Sequence, residues 1–461
     1  MISAIPTRLS IIASLMFIFS SCQMSDNRSR TTSWLYNNPK GLSFKSKDFH
    51  GPTPPGMIYI PGGSFVMGAT QESVALDPDN FPRNASVSSF YLDEIEVPNV
   101  SYCEYIAWMG KVFSQTHPAT YRACLPDTGV WRNSLSFNEP HVTDYLRHPS
   151  FKYYPVVGVS WVQANQYCEW RTDRVNEQRL IDAGYIRYTS QQGEQHFSTK
   201  GYLAGFYRPP IEKLKQRKNL EGEILYPTME DGFFVASYRL PSESEWEYAA
   251  QALVGRTEAG VIAERRIYPW NERGIRFGPG NHQGDMKANL KQNYNAPSGV
   301  GTYEVVRGGP TAPGRYYKPN DFGLYNMAGN VNEWVMDMYR PTTPGDADEV
   351  SPFMGGGYLR TTLDEEGALG KDSSGRVLYV GDERRYTDNY LASYLDSLAV
   401  QSNPNGQVNN RIRVYKGGSY RDQAYWITPG ARRFLQENRS KDDIGFRCAM
   451  SGVAVTNMKA R

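Results

Sequence analysis

Histidine is scarce in this chain, with 6 in 461 residues, and cysteine numbers only 5. No Cys-x-x-Cys spacing and no His/Cys cluster occurs, which removes the usual zinc arrangements. Neither sign of charge is in excess: 50 Lys and Arg face 48 Asp and Glu. A nucleic-acid partner normally calls for a basic stripe, so that class is set aside. There is no heptad run or fixed-period repeat. No apolar run reaches the roughly 20 residues of a permanent membrane-spanning helix. What the chain does have is Gly (42), Tyr (32) and Pro (29). That composition suits a compact, loop-rich fold with aromatic packing, not a helical bundle.

The longest apolar stretch, Leu9 to Phe19, follows Arg8 and has the length of a signal-peptide core. Ser20-Ser21-Cys22 comes next. Small residues ahead of a cysteine resemble a bacterial lipobox, although Phe19 stands where Leu is commoner. Residues 1–21 are therefore expected to be a lipoprotein signal peptide. Cys22 is the expected lipidation site, which would make the mature protein anchored and not soluble. A plain signal peptide with an incidental cysteine is the other reading. Gln23, where Asp would retain a lipoprotein at the inner membrane, favours the outer membrane. The absence of an acidic run after Cys22 favours its periplasmic face. Residues 22–55 are polar, end in Gly51-Pro-Thr-Pro-Pro55, and read as a membrane tether. About 440 residues then remain, enough for one large or two ordinary domains.

The domain is expected to start at Gly56. Met57, Tyr59 and the Ser64-to-Met67 run are strand-like, separated by a Pro-Gly-Gly turn. A helix is predicted from about Asn99, as its N-cap, to Val112. A second is predicted from a Ser160 cap to about Val175, with Trp161, Ala164, Cys168 and Arg171 on one stripe. Ser242 and Glu245 form a capping box, after which Trp246, Ala249, Ala250 and Leu253 make a buried face. Cys103, Cys124, Cys168 and Cys448 permit two disulfides in three connectivities.

Eight segments follow one another in a recognisable order. They are Ile60-Pro-Gly-Gly-Ser-Phe-Val-Met-Gly68, Phe90-Tyr-Leu-Asp-Glu-Ile-Glu-Val97, Pro155-Val-Val-Gly-Val-Ser-Trp161 and Arg239-Leu-Pro-Ser-Glu-Ser-Glu-Trp-Glu-Tyr-Ala-Ala250. Tyr268-Pro-Trp270, Gly323-Leu-Tyr-Asn-Met-Ala-Gly-Asn-Val-Asn-Glu-Trp334, Gly417-Gly-Ser-Tyr420 and Gly445-Phe-Arg-Cys448 complete the series. Together they resemble the formylglycine-generating, or sulfatase-modifying-factor, family. The resemblance implies an α+β fold related to C-type lectins, with little regular secondary structure. One such domain is expected over residues 56–452, with insertions near 110–153, 176–237 and 342–410 and a tail at 453–461. Added length in loops costs little entropy.

In that family two cysteines after the Gly-Gly-Ser run bind the copper that performs the oxidation. The matching positions here hold Asp422 and Ile427. Cu(I) selects soft sulfur; Asp422 is a hard oxygen donor and Ile427 is no ligand. The chain therefore reads as a pseudoenzyme without copper or catalytic residues, in which Asp422 is either a solvated carboxylate or one paired with Arg421, Arg432 or Arg433. The same resemblance implies a structural Ca²⁺ held by the Asn326 side chain, the Gly329 and Val331 carbonyls and the Glu333 carboxylate. The competing reading has Glu333 paired with an arginine. A second calcium site would start at Asn289 and the Leu290 carbonyl, with no acidic partner in view. Cys168 and Cys448 match two positions joined by a disulfide in the family, leaving Cys103 and Cys124 as a second pair or as buried thiols.

A narrower likeness rests on Ser33-Trp-Leu-Tyr-Asn-Asn-Pro-Lys-Gly41, Leu125-Pro-Asp-Thr-Gly-Val-Trp-Arg-Asn133, Tyr145-Leu-Arg-His-Pro149 and Trp170-Arg-Thr-Asp-Arg-Val-Asn-Glu177. These look like the gliding-motility lipoproteins of the Bacteroidetes, GldJ type first and GldK (PorK) type second. The expectation is a scaffold whose partners are envelope proteins of the gliding and type IX secretion apparatus. An active modifying enzyme, or a protein binding peptidoglycan or another glycan, are the alternatives.

Overall fold

A computed structural model describes residues 54–69, 80–132, 137–187, 196–207, 224–253, 266–272, 274–280, 282–291, 310–339 and 411–452, with short paired segments at 217–218, 257–258, 261–262, 359–361 and 379–381. Cys22, the tether before Pro54, most of the 342–410 insertion and the 453–461 tail lie outside the described residues.

Short strands dominate. β1 (Met57–Ile60), β2 (Gly63–Met67), β3 (Arg83–Val87) and β4 (Phe90–Asp93) come first. In β3, Arg83, Ala85 and Val87 are buried while Asn84 and Ser86 face water, the period of two that a half-covered strand requires. β2 and β3 pair as a hairpin. Next come α1 (Asn99–Phe113) and α2 (Trp161–Asp182). β5 (Tyr238–Arg239) and α3 (Glu243–Gln251) follow. The final strands are β6 (Asn332–Met338), β7 (Ile412–Lys416), β8 (Arg433–Gln436), β9 (Ile444–Gly445) and β10 (Ala449–Ser451).

Two four-stranded sheets organise the core. The first has the order β1-β4-β10-β5, all antiparallel, with Met450 opposite both Tyr91 and Tyr238. The second runs β8-β7-β6-β9 and is antiparallel except for the β6–β9 pair. Trp161, Trp246 and Trp334 are fully buried. Each indole N–H is satisfied, donating to Val335 O (2.8 Å), Glu333 Oε2 (2.7 Å) and Val159 O (3.0 Å) respectively. Trp161 and Trp246 thereby stitch α2 and α3 to β6, and Trp334 ties β6 to the loop ahead of α2.

The expected helices form, with two corrections. α1 starts at Asn99, but Asn99 is not its cap. Its amide donates across to Tyr145 O (2.9 Å) and Phe151 O (3.0 Å), clamping the 145–151 insertion onto the helix start. α2 begins at a Ser160–Gln163 capping box and runs seven residues past Val175 to Asp182. Leu180 explains the extra length: it is fully buried in a satellite cluster with Ile186, Phe197, Tyr202 and Phe234, all from the following insertion. Tertiary burial, not local propensity, carries the helix on. The Ser242–Glu245 capping box of α3 is present as read, and Trp246, Ala249, Ala250 and Leu253 are buried. Among the described residues no helix is long and apolar enough to cross a membrane.

Candidate functional site

Strand β7 delivers Lys416 and then the Gly417-Gly418-Ser419 turn into the centre of the molecule. Gly418 has φ +69°, and a Cβ there would lie 2.7 Å from Ile427 Cγ2. Only glycine lets the turn approach Ile427 this closely. Ile427 is fully buried with Ala288, Leu290 and Ala328, so this position is part of an apolar cluster.

Asp422 faces the other way, into a polar cluster. Its carboxylate accepts from Arg433 Nη1 (2.8 Å) and Nη2 (2.6 Å), from Ser419 N (2.8 Å) and Oγ (2.6 Å), and distantly from Asn332 Nδ2 (3.5 Å). Of the three arginines considered, Arg433 is the partner; Arg432 reaches Glu243 and Arg421 reaches Asp442. The Arg433 guanidinium also sits over the Tyr415 and Trp426 rings, 5.1 and 4.8 Å from their centroids. Burial alone would raise the Asp422 carboxyl. The hydrogen bonds and charge of Arg433, helped by Ser419 and Asn332, outweigh it and hold the group below the ordinary carboxylate range. Ser419 is fully buried and its hydroxyl bonds to Asp422 and Asp443 (3.2 Å). No histidine is among these contacts; the hydroxyl's partners are carboxylates.

Directly behind lies the segment expected to wrap calcium. Glu333 is fully buried. Arg447 grips both its oxygens (Nε to Oε2 and Nη2 to Oε1, each 2.6 Å), and Trp246 adds the third donor. Asn326 donates to Glu96 Oε2 (2.9 Å) and Gly314 O (3.1 Å), and Asn330 to Glu96 Oε1 (2.9 Å). The donor set is thus Asn326, the Gly329 and Val331 carbonyls and a carboxylate already neutralised by a guanidinium. As placed, these residues do not present Ca²⁺ with an uncommitted carboxylate, and the arginine-paired reading of Glu333 describes the geometry. At the second proposed site, Asn289 ties the same loop: its amide donates to Pro310 O (2.9 Å) and its carbonyl accepts from Asn330 N (2.8 Å). Gly329, at φ +74°, has no room for a Cβ, which would fall 2.2 Å from Asn289 O. Leu290 packs in the Ile427 cluster.

Sequence reading missed two buried clusters. Glu96 crosses from the end of β4 to hold Asn326 and Asn330. Lys416 is fully enclosed and bonds Glu247 (2.9 Å) and Glu243 (3.4 Å) of α3, while Arg432 bonds Glu243 (3.1 Å). The four-residue spacing of Glu243 and Glu247 around Trp246 was the available signal, since it puts both carboxylates on the side of the helix that carries the buried tryptophan.

Cys168 and Cys448 are both buried, with sulfurs 3.3 Å apart, as thiols. Cys103 and Cys124 point to different carbonyls, Leu146 O (3.3 Å) and Tyr121 O (3.0 Å), and are thiols as well.

This frame has known counterparts. The sulfatase-modifying factor enzyme 1-like domain matches residues 44–451, and the chain belongs to that family. The formylglycine-generating enzyme of Bos taurus is 23% identical over 409 residues, covering 88% of this chain and 77% of its own. That of Streptomyces coelicolor is 26% identical over 333 residues, covering 66% and 79%. The inactive C-alpha-formylglycine-generating enzyme 2 of Bos taurus is 30% identical over 288 residues, covering 62% and 71%. The solved structure of PvdO from Pseudomonas aeruginosa is 16% identical, covers 86% of this chain and 94% of its own, and gives a TM-score of 0.43. The family thus contains enzymes and members named as inactive.

Proposed function

We propose that this chain is a non-catalytic member of the family, an outer-membrane lipoprotein that serves as a scaffold in the gliding-motility and type IX secretion machinery. One observation carries the non-catalytic reading. Where paired sulfur would bind copper, an Asp422–Arg433 ion pair and a buried Ile427 stand instead. A saturated carboxylate and a hydrocarbon give Cu(I) nothing to bind. The scaffold assignment is supported by the lipobox-like Ser20-Ser21-Cys22 and by the insert motifs. The insertions supply surface on which partners can dock.

The purified chain, incubated with Cu(I), oxygen and a cysteine-containing peptide, is expected to yield no aldehyde above the blank. Measurable turnover would overturn the reading. A Cys22→Ala variant is expected to leave the outer-membrane fraction for the soluble one. Crosslinked pull-down from the outer membrane is expected to recover secretion-apparatus proteins, and deletion of the gene to abolish surface movement and secretion.

Cys168 and Cys448 are proposed to close to a disulfide in an oxidising compartment. Of the four thiols beyond Cys22, two are then expected to react in denaturant without reductant. Reduction is expected to lower stability by about 5 kcal/mol in the chain-entropy model for so long a loop, read as a shift in the urea midpoint. Four reactive thiols in protein isolated without reductant would refute the bridge.

A further inference from the structure

A cavity of about 850 Å³ opens between α1, α2 and the segments around residues 198 and 236. Its walls are mixed: Trp108, Met109, Phe113, Trp161 and Trp170 supply apolar surface, while residues such as Gln166, Glu169, Asp173 and Lys200 supply polar groups. Leu203 and Met229, 41% and 56% exposed, stand at its edge. Trp170 Nε1 is buried and has no hydrogen-bond partner among the described residues. An orphaned indole N–H inside a protein is costly, so an acceptor is called for there.

The chain itself arrives beside this cavity. The first described residues are Pro54 and Pro55, and the carbonyl of Pro55 accepts from Arg171 Nη2 (2.9 Å), on the residue next to Trp170 in α2. The preceding stretch is mostly polar; Met24, Leu42, Phe44 and Phe49 stand singly in it, and its one run of three consecutive large apolar or aromatic residues is the knot Trp34-Leu35-Tyr36, followed by Asn37 and Asn38. Between Tyr36 and Pro54 the chain can extend to about 60 Å at most, which spans the distance to a neighbouring cavity with ease. A cavity of this size falls in the range that encloses a drug-sized ligand, or a pair of aromatic side chains.

We propose that the Trp34-Leu35-Tyr36 knot of this same chain docks into the α1–α2 cavity, with a polar group of the knot or of Asn37 accepting from Trp170 Nε1. Trp and Tyr suit the task, since each buries a large apolar area while keeping a polar tip for bonding. Docking shortens the tether. If the lipid sits on Cys22, as proposed above, the free length falls from 32 residues to 12, or from about 110 Å to about 40 Å extended. The domain is then held near the bilayer with the α1–α2 face oriented by its own leader, leaving the opposite face for partners.

Hydrogen exchange on the full-length protein in detergent tests this. Amides of residues 33–37 are expected to exchange at least tenfold more slowly than an unstructured chain. Trp34→Ala/Tyr36→Ala is expected to abolish the slowing. Leu203→Glu/Met229→Glu, at two exposed positions, is expected to do the same with the domain's unfolding temperature unchanged. Unprotected amides in the wild type overturn the proposal. So does protection that survives Leu203→Glu/Met229→Glu, because the knot then docks elsewhere. Protection that fades on dilution, together with a dimer in sedimentation, assigns the cavity to a second copy and also overturns it.

Discussion

Arg447→Leu is expected to destabilise the protein by about 3–5 kcal/mol, the range for breaking a buried ion pair by removing one partner. The side chain is fully enclosed, and it serves more than Glu333. It also donates to the carbonyls of Asp93 (3.0 Å) and Tyr325 (2.9 Å), tying β4, the 323–331 loop and the last strands together. Without it, Glu333 and Glu96 become two buried carboxylates with no cation between them. Glu96 is already held well above the ordinary carboxylate range, first by burial and, despite the opposing charge of Arg447, by repulsion from Glu333. Urea unfolding gives the measurement. Adding Glu333→Gln to the Arg447→Leu variant is expected to recover part of the loss, since glutamine removes the stranded charge and keeps an acceptor for the Trp246 indole. A loss below about 1 kcal/mol for the single change, typical of an exposed pair, would show that the cluster is not buried in solution.

The second large effect depends on pH. Asp337, on β6, is buried, and its carboxyl is pushed up to about 7, first by burial and then by the neighbouring Glu243 charge. Its value in the folded protein lies above the unfolded one. The neutral form is therefore the one the fold prefers. The associated stability is fully present below the unfolded pKa near 4 and is lost as pH rises toward 7. Asp337→Asn removes the ionisation while keeping an acceptor for the Glu243 N–H, which now bonds Asp337 Oδ2 at 2.5 Å. The variant is expected to match the wild type near pH 4 and to exceed it by about 2–4 kcal/mol at pH 8. Urea midpoints at the two pH values decide it. An advantage that is the same at both would mean Asp337 does not change protonation between them.

Much of the frame was legible in the sequence because its signals are local. The helix cap at Ser160, the capping box at Ser242 and the apolar stripe through Trp161, Ala164 and Cys168 all depend on neighbours a few residues apart. The Asp422 and Ile427 replacements were visible through the family resemblance. Partner choice was not, because it is settled across long separations. Arg432 and Arg433 are adjacent in sequence, yet one serves Glu243 and the other Asp422, since successive residues of an extended chain point to opposite sides. Glu333 meets Arg447 across 114 residues, so which arginine it pairs with has no local signal. Asn99 had a cap's residue type, but its amide found carbonyls 46 and 52 residues away. The reach of α2 to Asp182 was set by an insertion that sequence alone cannot fold.

The place of β10 has a temporal consequence. It lies between β4 and β5, so the last described strand fills the middle of a layer whose other members lie about 210 to 390 residues earlier. Ribosomes deliver the amino end first. Until Ala449 emerges, β4 and β5 each carry an open edge, the kind of surface that recruits a foreign chain. A premature stop anywhere before that point removes the keystone along with the tail. This sheet therefore cannot be completed until the end of the domain is present.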